Sequence, residues 1–489
     1  MPQPPSSPAS SISRPTRLLP GERGTPLAAV DIAWLRMDDP TNLMHVQGVL
    51  PLSGEVSWEQ AARIFDRRLT KIPRFRQRIA SDDGQLTWVD DAEFDLHRHL
   101  VEERIAAPGD DAALAAAIEH HLERDFDFAH PLWEFRLLQG YRDGTVLFGK
   151  IHHVIGDGVA LITVVLALTD LAPRGPAATE LPADLDSEQA NPFFEILLRR
   201  GEAAFAQARA LAEKVMPEMM RLMLAPVEAY ARVHPVIRGA GASGALARLV
   251  ARPSDPMTRF KGALGKAKRV AWTESLPVDD VKAVGKAHGG TVNDVLTAAM
   301  VGGLRRYLAK DGRPPDDLAF RAAMPVNLRP LEAMADLGNR FGLIFLKLPV
   351  GIEDPHRRLE ILRERSATLK RSTEPLVVLA LLKAMGALPE WVHKAMLAIF
   401  QTKATAVFTN VPGPKATLWF AGHAIRDLFF WVPQAGRLGL GVSILSYDGH
   451  VRMGVGTDAG LVPDPARIVD GFHAEFEALQ RSAAKGQSG

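Results

Sequence analysis

The chain has 489 residues, 47% hydrophobic and 24% charged, which is the composition of a folded protein of two or three domains. Its 58 Lys and Arg against 57 Asp and Glu leave a net charge of +1, which excludes the concentrated positive charge of a protein built to grip nucleic acid. There are no cysteines, so disulfides, Cys-ligated zinc, iron–sulfur clusters and a Cys nucleophile are ruled out, and a cytoplasmic setting fits.

Met1 to Pro20 holds six Pro and five Ser and lacks the apolar core of a signal peptide, so residues 1–24 are expected to form a disordered tail. A first domain is expected over 25–172. It begins with a strand around His45 to Pro51, followed by a helix capped by Ser57 with Ala61, Ile64, Phe65 and Leu69 at helical spacing. A second helix follows from Asp111. WEFRLLQGY and TVLFGKI then read as two strands joined at Arg142-Asp143-Gly144, an Asp-Gly hairpin signal. After His152-His153 the chain turns through Gly156-Asp157-Gly158 into an apolar helix.

Residues 173–262 read as a linker and crossover helices. They include a Met-rich stretch (Met216, Met219, Met220, Met223) and the start of a basic run, Arg238 to Arg269, read as a solvated crossover. A second domain over 263–484 carries two helices separated by Gly289-Gly290, several strands, a hairpin at Asp448-Gly449 and a closing helix. Leu376 to Phe400 is the most apolar stretch. Lys383, Pro389, Glu390 and Lys394 interrupt it, so it falls short of the ~20 apolar residues of a membrane span. The predicted fold class is α/β: two halves, each a mixed sheet with flanking helices, joined by a helical crossover.

Two of the His residues stand together at the strand–helix junction KIHHVIGDGVA. Neighbours at a strand end point to opposite faces, so one of His152 and His153 can enter a cleft while the other packs behind it. Gly156 and Gly158 allow a tight turn that brings Asp157 back towards the imidazoles or an arginine. The other pair, His120-His121, lies in a helix, where neighbours diverge by about 100°. With no G-x-S-x-G elbow and no H-E-x-x-H, the chemistry left is general-base activation of a substrate hydroxyl or amine by a neutral imidazole.

HHVIGDG resembles the H-H-x-x-x-D-G signature of acyltransferases related to chloramphenicol acetyltransferase and to peptide-synthetase condensation domains. HPLWEF before it, and GGTVNDVL, MPVNLRP and FTNVPGP after it, appear in the expected order, and DIAWLRMDDPTN opens the set. The set is similar to the bacterial bifunctional wax ester synthase/diacylglycerol acyltransferase family from about Leu27 to Leu479. The resemblance implies two chloramphenicol acetyltransferase-like domains and transfer of a long-chain acyl group from acyl-CoA to diacylglycerol or a fatty alcohol. Acyl-CoA is the co-substrate, with no metal and no bound cofactor. It further implies His153 as general base, His152 in support, and Asp157 as a structural residue paired with an arginine. From its place in KIPRFRQRI that arginine is read as Arg76, ahead of Arg78 and Arg74. Asn293 would line the site or place an oxyanion, where an amide donor is worth ~3 kcal/mol; capping a helix is its alternative role. Gly158, Asp294 and Trp133 are the candidate substrate-side residues, although Trp133 also reads as a core corner, and Arg329 is assigned no chemistry.

The Met-rich and apolar stretches, with the basic run, permit peripheral contact with a membrane or lipid droplet, and internal packing is the alternative. Rival functions are acyl transfer to a polyketide or glycolipid hydroxyl, or an inactive lipid-droplet-binding protein.

Overall fold

The computed structural model describes residues 15–173, 251–312, 314–329, 337–369, 372, 374–434 and 436–487. In the first half, Ala29–Arg36 (α1) leads into the strand His45–Pro51 (β1) and the helix Trp58–Arg67 (α2). Ser57 caps α2 in a reciprocal box with Gln60, as its hydroxyl promised. Leu100–Arg104 (β2), Asp111–Leu122 (α3), Trp133–Tyr141 (β3) and Gly144–His152 (β4) follow, then Gly158–Leu168 (α4). Every residue of β4 is buried, which explains its nearly unbroken apolar run. Residues of α4 are apolar on all sides because the helix lies between the first sheet and the second half.

The second half begins with Lys268–Trp272 (β5), Val278–Ala287 (α5) and Val292–Leu308 (α6). It continues through Phe320–Asn327 (β6), Phe341–Leu348 (β7), Pro355–Leu369 (α7), Glu374–Ala387 (α8) and Glu390–Lys403 (α9). Ala406–Pro412 (β8), Phe429–Trp431 (β9), Leu440–Tyr447 (β10), His450–Asp458 (β11) and Ala466–Gln487 (α10) complete it.

Two mixed sheets result. The first has the order β9-β1-β4-β3-β2, with only the β2–β3 pair parallel. Its edge strand β9 comes from the second half of the chain. The second sheet runs from Leu276–Pro277 through β11, β10, β8 and β6 to β7, with β5 also on β11; β8 is parallel to both β10 and β6. A smaller sheet joins Thr16–Arg17, Gly24–Pro26, Gln77–Asp82 and Gln85–Asp90. A core cluster bridges the halves, with Val30, Trp34, Met37 and Met44 packed against Phe341, Phe345, Val378 and Leu382. Among the described residues no helix is long and apolar enough to cross a membrane.

Two expectations change. Order begins before Thr25: Thr16–Arg17 pairs with Gln77–Asp82, and Arg78 donates to Thr16 and Glu22. The last part of the basic run is not a solvated crossover. Asp255 accepts from the Arg321 amide and guanidinium, each at 2.6 Å, and Lys261 donates to the carbonyls of Thr402 and Ala404. Burying those charges beside partners ties the segment to the second sheet. Leu376 to Phe400, as its interruptions imply, is divided at Leu388-Pro389 between two helices, α8 and α9. The Met-rich stretch lies outside the described residues.

Candidate active site

His152 ends β4, and the next five residues turn before α4 starts. His152 is fully buried; its Nδ1 accepts from the Val154 amide at 3.0 Å and its Nε2 lies 3.5 Å from Asp38 Oδ2. The Asp38 carboxylate in turn accepts from the Met44 amide at 2.7 Å, and the Met44 carbonyl accepts from the His153 amide at 2.7 Å. With His45, whose ring centre is 5.6 Å from that of His152, these groups form a buried polar cluster behind the loop. The ligating atoms of Asp38, His45 and His152 lie within 4.8 Å of one another, near enough for a metal ion. None of the three lines the cavity described next, so the cluster supports the loop and is no part of a reacting surface.

His153 points the other way, into a cavity between the halves that encloses about 1350 Å³ of atom-free space, its mouth included. The ring stacks on Trp34 of α1 at 4.3 Å and 15°, and Phe341 of β7 tilts against it at 5.7 Å. Nδ1 is buried, which leaves Nε2 as the nitrogen to meet a substrate. Burial lowers the imidazole to about 4; the Asp157 charge is the strongest influence in the other direction. A neutral ring at pH 7 can accept a proton. Around it the wall is apolar: Leu343 and Phe345 of β7, Val378 and Leu382 of α8, Leu397 and Phe400 of α9. Outside that wall, Leu388, Trp391 and Ile399 are exposed.

The loop is laced to the second half. Asp157 Oδ1 accepts from the Ala160 amide at 3.0 Å and so caps α4, while Oδ2 accepts from Arg329 Nη2 at 2.9 Å and the Arg340 amide at 3.0 Å. Burial alone would raise the Asp157 carboxyl, but the Arg329 guanidinium and the Arg340 and Ala160 amides outweigh it and hold it below its ordinary value. Gly338 takes a φ of +107°, where a side chain would be strained, and donates its amide to the Ile155 carbonyl at 2.9 Å. Beside it, Asn339 Nδ2 donates to the His153 carbonyl and to Asp31 Oδ1, both at 2.8 Å. Asp31 is pushed up to about 6 by burial, against the pull of Asn339 and Arg74.

The expected arginine partner is thus corrected. Arg76 lies over the Phe94 ring at 5.2 Å, Arg74 lies over Trp88, and Arg78 is engaged with Thr16 and Glu22. Arg329, which carried no expected chemistry, is the partner of Asp157 and is 1% exposed. No local signal links positions 172 residues apart. His153, Asp157 and Gly158 line the cavity; Asn293, Asp294 and Trp133 do not. Trp133 is a core residue that donates to the Phe75 carbonyl at 2.9 Å and stacks on His99. Asp294 closes a capping box with Thr291 at the start of α6. Asn293 is not the cap either. Its Oδ1 accepts from Asn410 Nδ2 at 3.1 Å, and Asn410 is the one of the two on the cavity wall. Asn327 also lines the cavity, and its Nδ2 is buried without a partner among the described residues. Both asparagines sit in motifs the sequence displayed, MPVNLRP and FTNVPGP, but only packing brings them to the wall.

A model of the wax ester synthase/diacylglycerol acyltransferase catalytic domain matches residues 27–296, and one of the WS/DGAT C-terminal domain matches residues 337–480. The "Probable diacyglycerol O-acyltransferase tgs1" of Mycobacterium tuberculosis H37Rv is 27% identical over 457 residues, spanning 91% of this chain and 94% of that protein. Among solved structures, the wax ester synthase/diacylglycerol acyltransferase from Marinobacter aquaeolei VT8 superposes with a TM-score of 0.66 at 22% identity, over 94% of this chain and all of that one. The starter condensation domain of rhizomide synthetase RzmA, solved with C8-CoA, gives 0.52 at 15% identity over 94% and 95% of the two chains. The chain belongs to the wax ester synthase/diacylglycerol acyltransferase family.

Proposed function

We propose that the chain is an acyl-CoA-dependent O-acyltransferase that moves a long-chain acyl group to the hydroxyl of diacylglycerol or a fatty alcohol, giving triacylglycerol or a wax ester and free CoA. The observation that carries this reading is a neutral, buried imidazole on the wall of a large apolar cavity between the halves. Nε2 of His153 takes the alcohol proton as the oxygen attacks the thioester carbonyl. The tetrahedral oxyanion collapses, the C–S bond breaks, and the departing thiolate recovers the proton from the imidazolium. The Asp157 carboxylate, held by Arg329, favours that transient imidazolium and keeps the loop in place. Asn327, with an unpartnered amide donor, is better suited than Asn293 to meet the oxyanion. The family names of the relatives favour these substrates.

The test supplies purified protein with palmitoyl-CoA and either dioleoylglycerol or hexadecanol and follows thiol release; the chain has no Cys to add background. Release above thioester hydrolysis is expected with at least one acceptor, and His153→Ala should lower it by about 10²–10⁴-fold. A folded protein that shows no acceptor-dependent release sinks the substrate assignment, and equal rates in the variant sink the base assignment.

A further inference from the structure

Besides Nδ1 of His153, two buried nitrogens on the cavity wall have no hydrogen-bond partner among the described residues, Asn327 Nδ2 and Trp34 Nε1. An indole N–H can only donate, and when buried it ordinarily finds an acceptor. Trp58, Trp133 and Trp431 give theirs to the carbonyls of Leu100, Phe75 and Ala271 at 2.8, 2.9 and 3.3 Å. Trp88 does not, but it lies in the small sheet under the Arg74 guanidinium and lines no part of the cavity. Trp34 is the indole whose unmet donor belongs to a wall built for substrate. A buried donor without an acceptor is costly, and the hydrocarbon around this one offers none.

Trp34 is also tied to the base at two points. Its ring stacks on His153 with centres 4.3 Å apart and planes 15° from parallel. One turn earlier on the same face of α1, Asp31 Oδ1 accepts from Asn339 Nδ2, which donates to the His153 carbonyl as well. α1 itself is firmly seated: a Cβ at Gly386 of α8 would stand 1.5 Å from the Ala29 carbonyl oxygen, so the two helices meet backbone to backbone. Donor and base therefore keep a fixed relation before substrate arrives, which is the condition for stabilising charge as it develops. The indole lies in a layer beside the imidazole and nearly parallel to it. An alcohol oxygen bound at Nε2 sits in the imidazole plane, the carbonyl carbon it attacks is one bond beyond, and the oxygen on that carbon can project out of the plane towards the indole layer.

We propose that Trp34 is a catalytic residue whose Nε1–H donates to the thioester carbonyl oxygen and to the oxyanion that forms there, as a second donor beside Asn327. The inference rests on the acyl-transfer reading above. As the alcohol oxygen bonds to the carbonyl carbon, the π pair of the carbonyl moves onto its oxygen and the alcohol proton moves onto His153 Nε2. The indole keeps its proton throughout. When the pair returns, the C–S bond breaks and the thiolate takes the proton from the imidazolium.

The experiment compares the parent protein with Trp34→Phe, which keeps an aromatic face on His153 and loses the N–H. With palmitoyl-CoA and the faster acceptor, kcat should fall about 10²-fold while the KM for palmitoyl-CoA changes by less than about threefold. The level part of the kcat/KM pH profile should drop with its acid limb in place. An indole that acted only through its face on the imidazolium would move that limb instead, and one that only packed would change KM or Tm with kcat retained. A folded Trp34→Phe whose kcat stays within about threefold of the parent, or whose acid limb moves while the level part is kept, overturns the proposal. If Trp34→Phe does not fold, Trp34→Met, which fills the space without a donor, decides by the same kcat and KM criteria.

A parent protein without transfer activity defeats the functional reading and leaves the donor testable by binding. The ketone analogue of palmitoyl-CoA, with a methylene inserted between sulfur and carbonyl, is then compared with hexadecyl-CoA, a thioether without a carbonyl. The preference of the parent for the ketone should shrink about fivefold in Trp34→Phe. An unchanged preference overturns the proposal.

Discussion

Asp157 and Asp294 are both carboxylates at helix N-termini, and both stand in motifs that the sequence marks as part of the site. They do different work. Asp294 spends its hydrogen bonds on Thr291, three residues away, and finishes the cap of α6. Asp157 caps α4 with one oxygen and binds Arg329 and Arg340 of the other half with its second. A helix-start carboxylate is thus a local cap or a clamp between halves according to what its second oxygen meets, and that partner is set by packing far away in the chain.

The widest gap between the two should come from removing the partner of Asp157. Arg329→Ala leaves a buried carboxylate uncompensated and is expected to cost about 3–5 kcal/mol of stability in denaturant titration. Asp294→Ala, which removes one member of a cap, should cost about 1 kcal/mol. Similar losses for both would mean that Asp157 is no clamp. The subtler test is pH dependence. A group pushed below its ordinary value keeps its neutral form to lower pH, so His153 stays competent as a base until pH falls through about 4. The kcat/KM profile should therefore run level from about pH 8 to about pH 5, where an unshifted imidazole would have lost half its activity near its usual pKa of about 6.5. A midpoint near 6.5 would break the argument that burial controls the ring.

Much of the frame was legible because its signals are local. Ser57 caps α2, and the two hairpins turn at Arg142-Asp143 and Asp448-Gly449, where Arg142, Asp448 and Gly449 take positive φ. The two helices around Gly289-Gly290 form as their spacing predicts. His153 on one face and His152 behind it follow from strand alternation alone. The partner of Asp157 was not legible, since KIPRFRQRI offers three arginines nearby and the true one lies beyond the crossover. Stacking of Trp34 on His153 was hidden for the same reason: the DIAWLRMDDPTN segment is visible, but what its aromatic ring touches depends on the fold. Trp133 misled in the opposite sense, being a prominent residue in a prominent motif whose indole N–H is satisfied inside the core.

Strand β9 has a practical consequence. It is drawn from residues far along the chain, yet it covers the β1 edge of the first sheet through the pairs Phe429–Val49, Phe430–Gly48 and Trp431–Gln47. A fragment that stops at residue 296, where the catalytic-domain match ends, would leave that edge bare and open to pairing with another molecule. The exchangeable module for building hybrids between relatives is therefore discontinuous: the first-half sheet travels with its borrowed strand, or it does not travel intact.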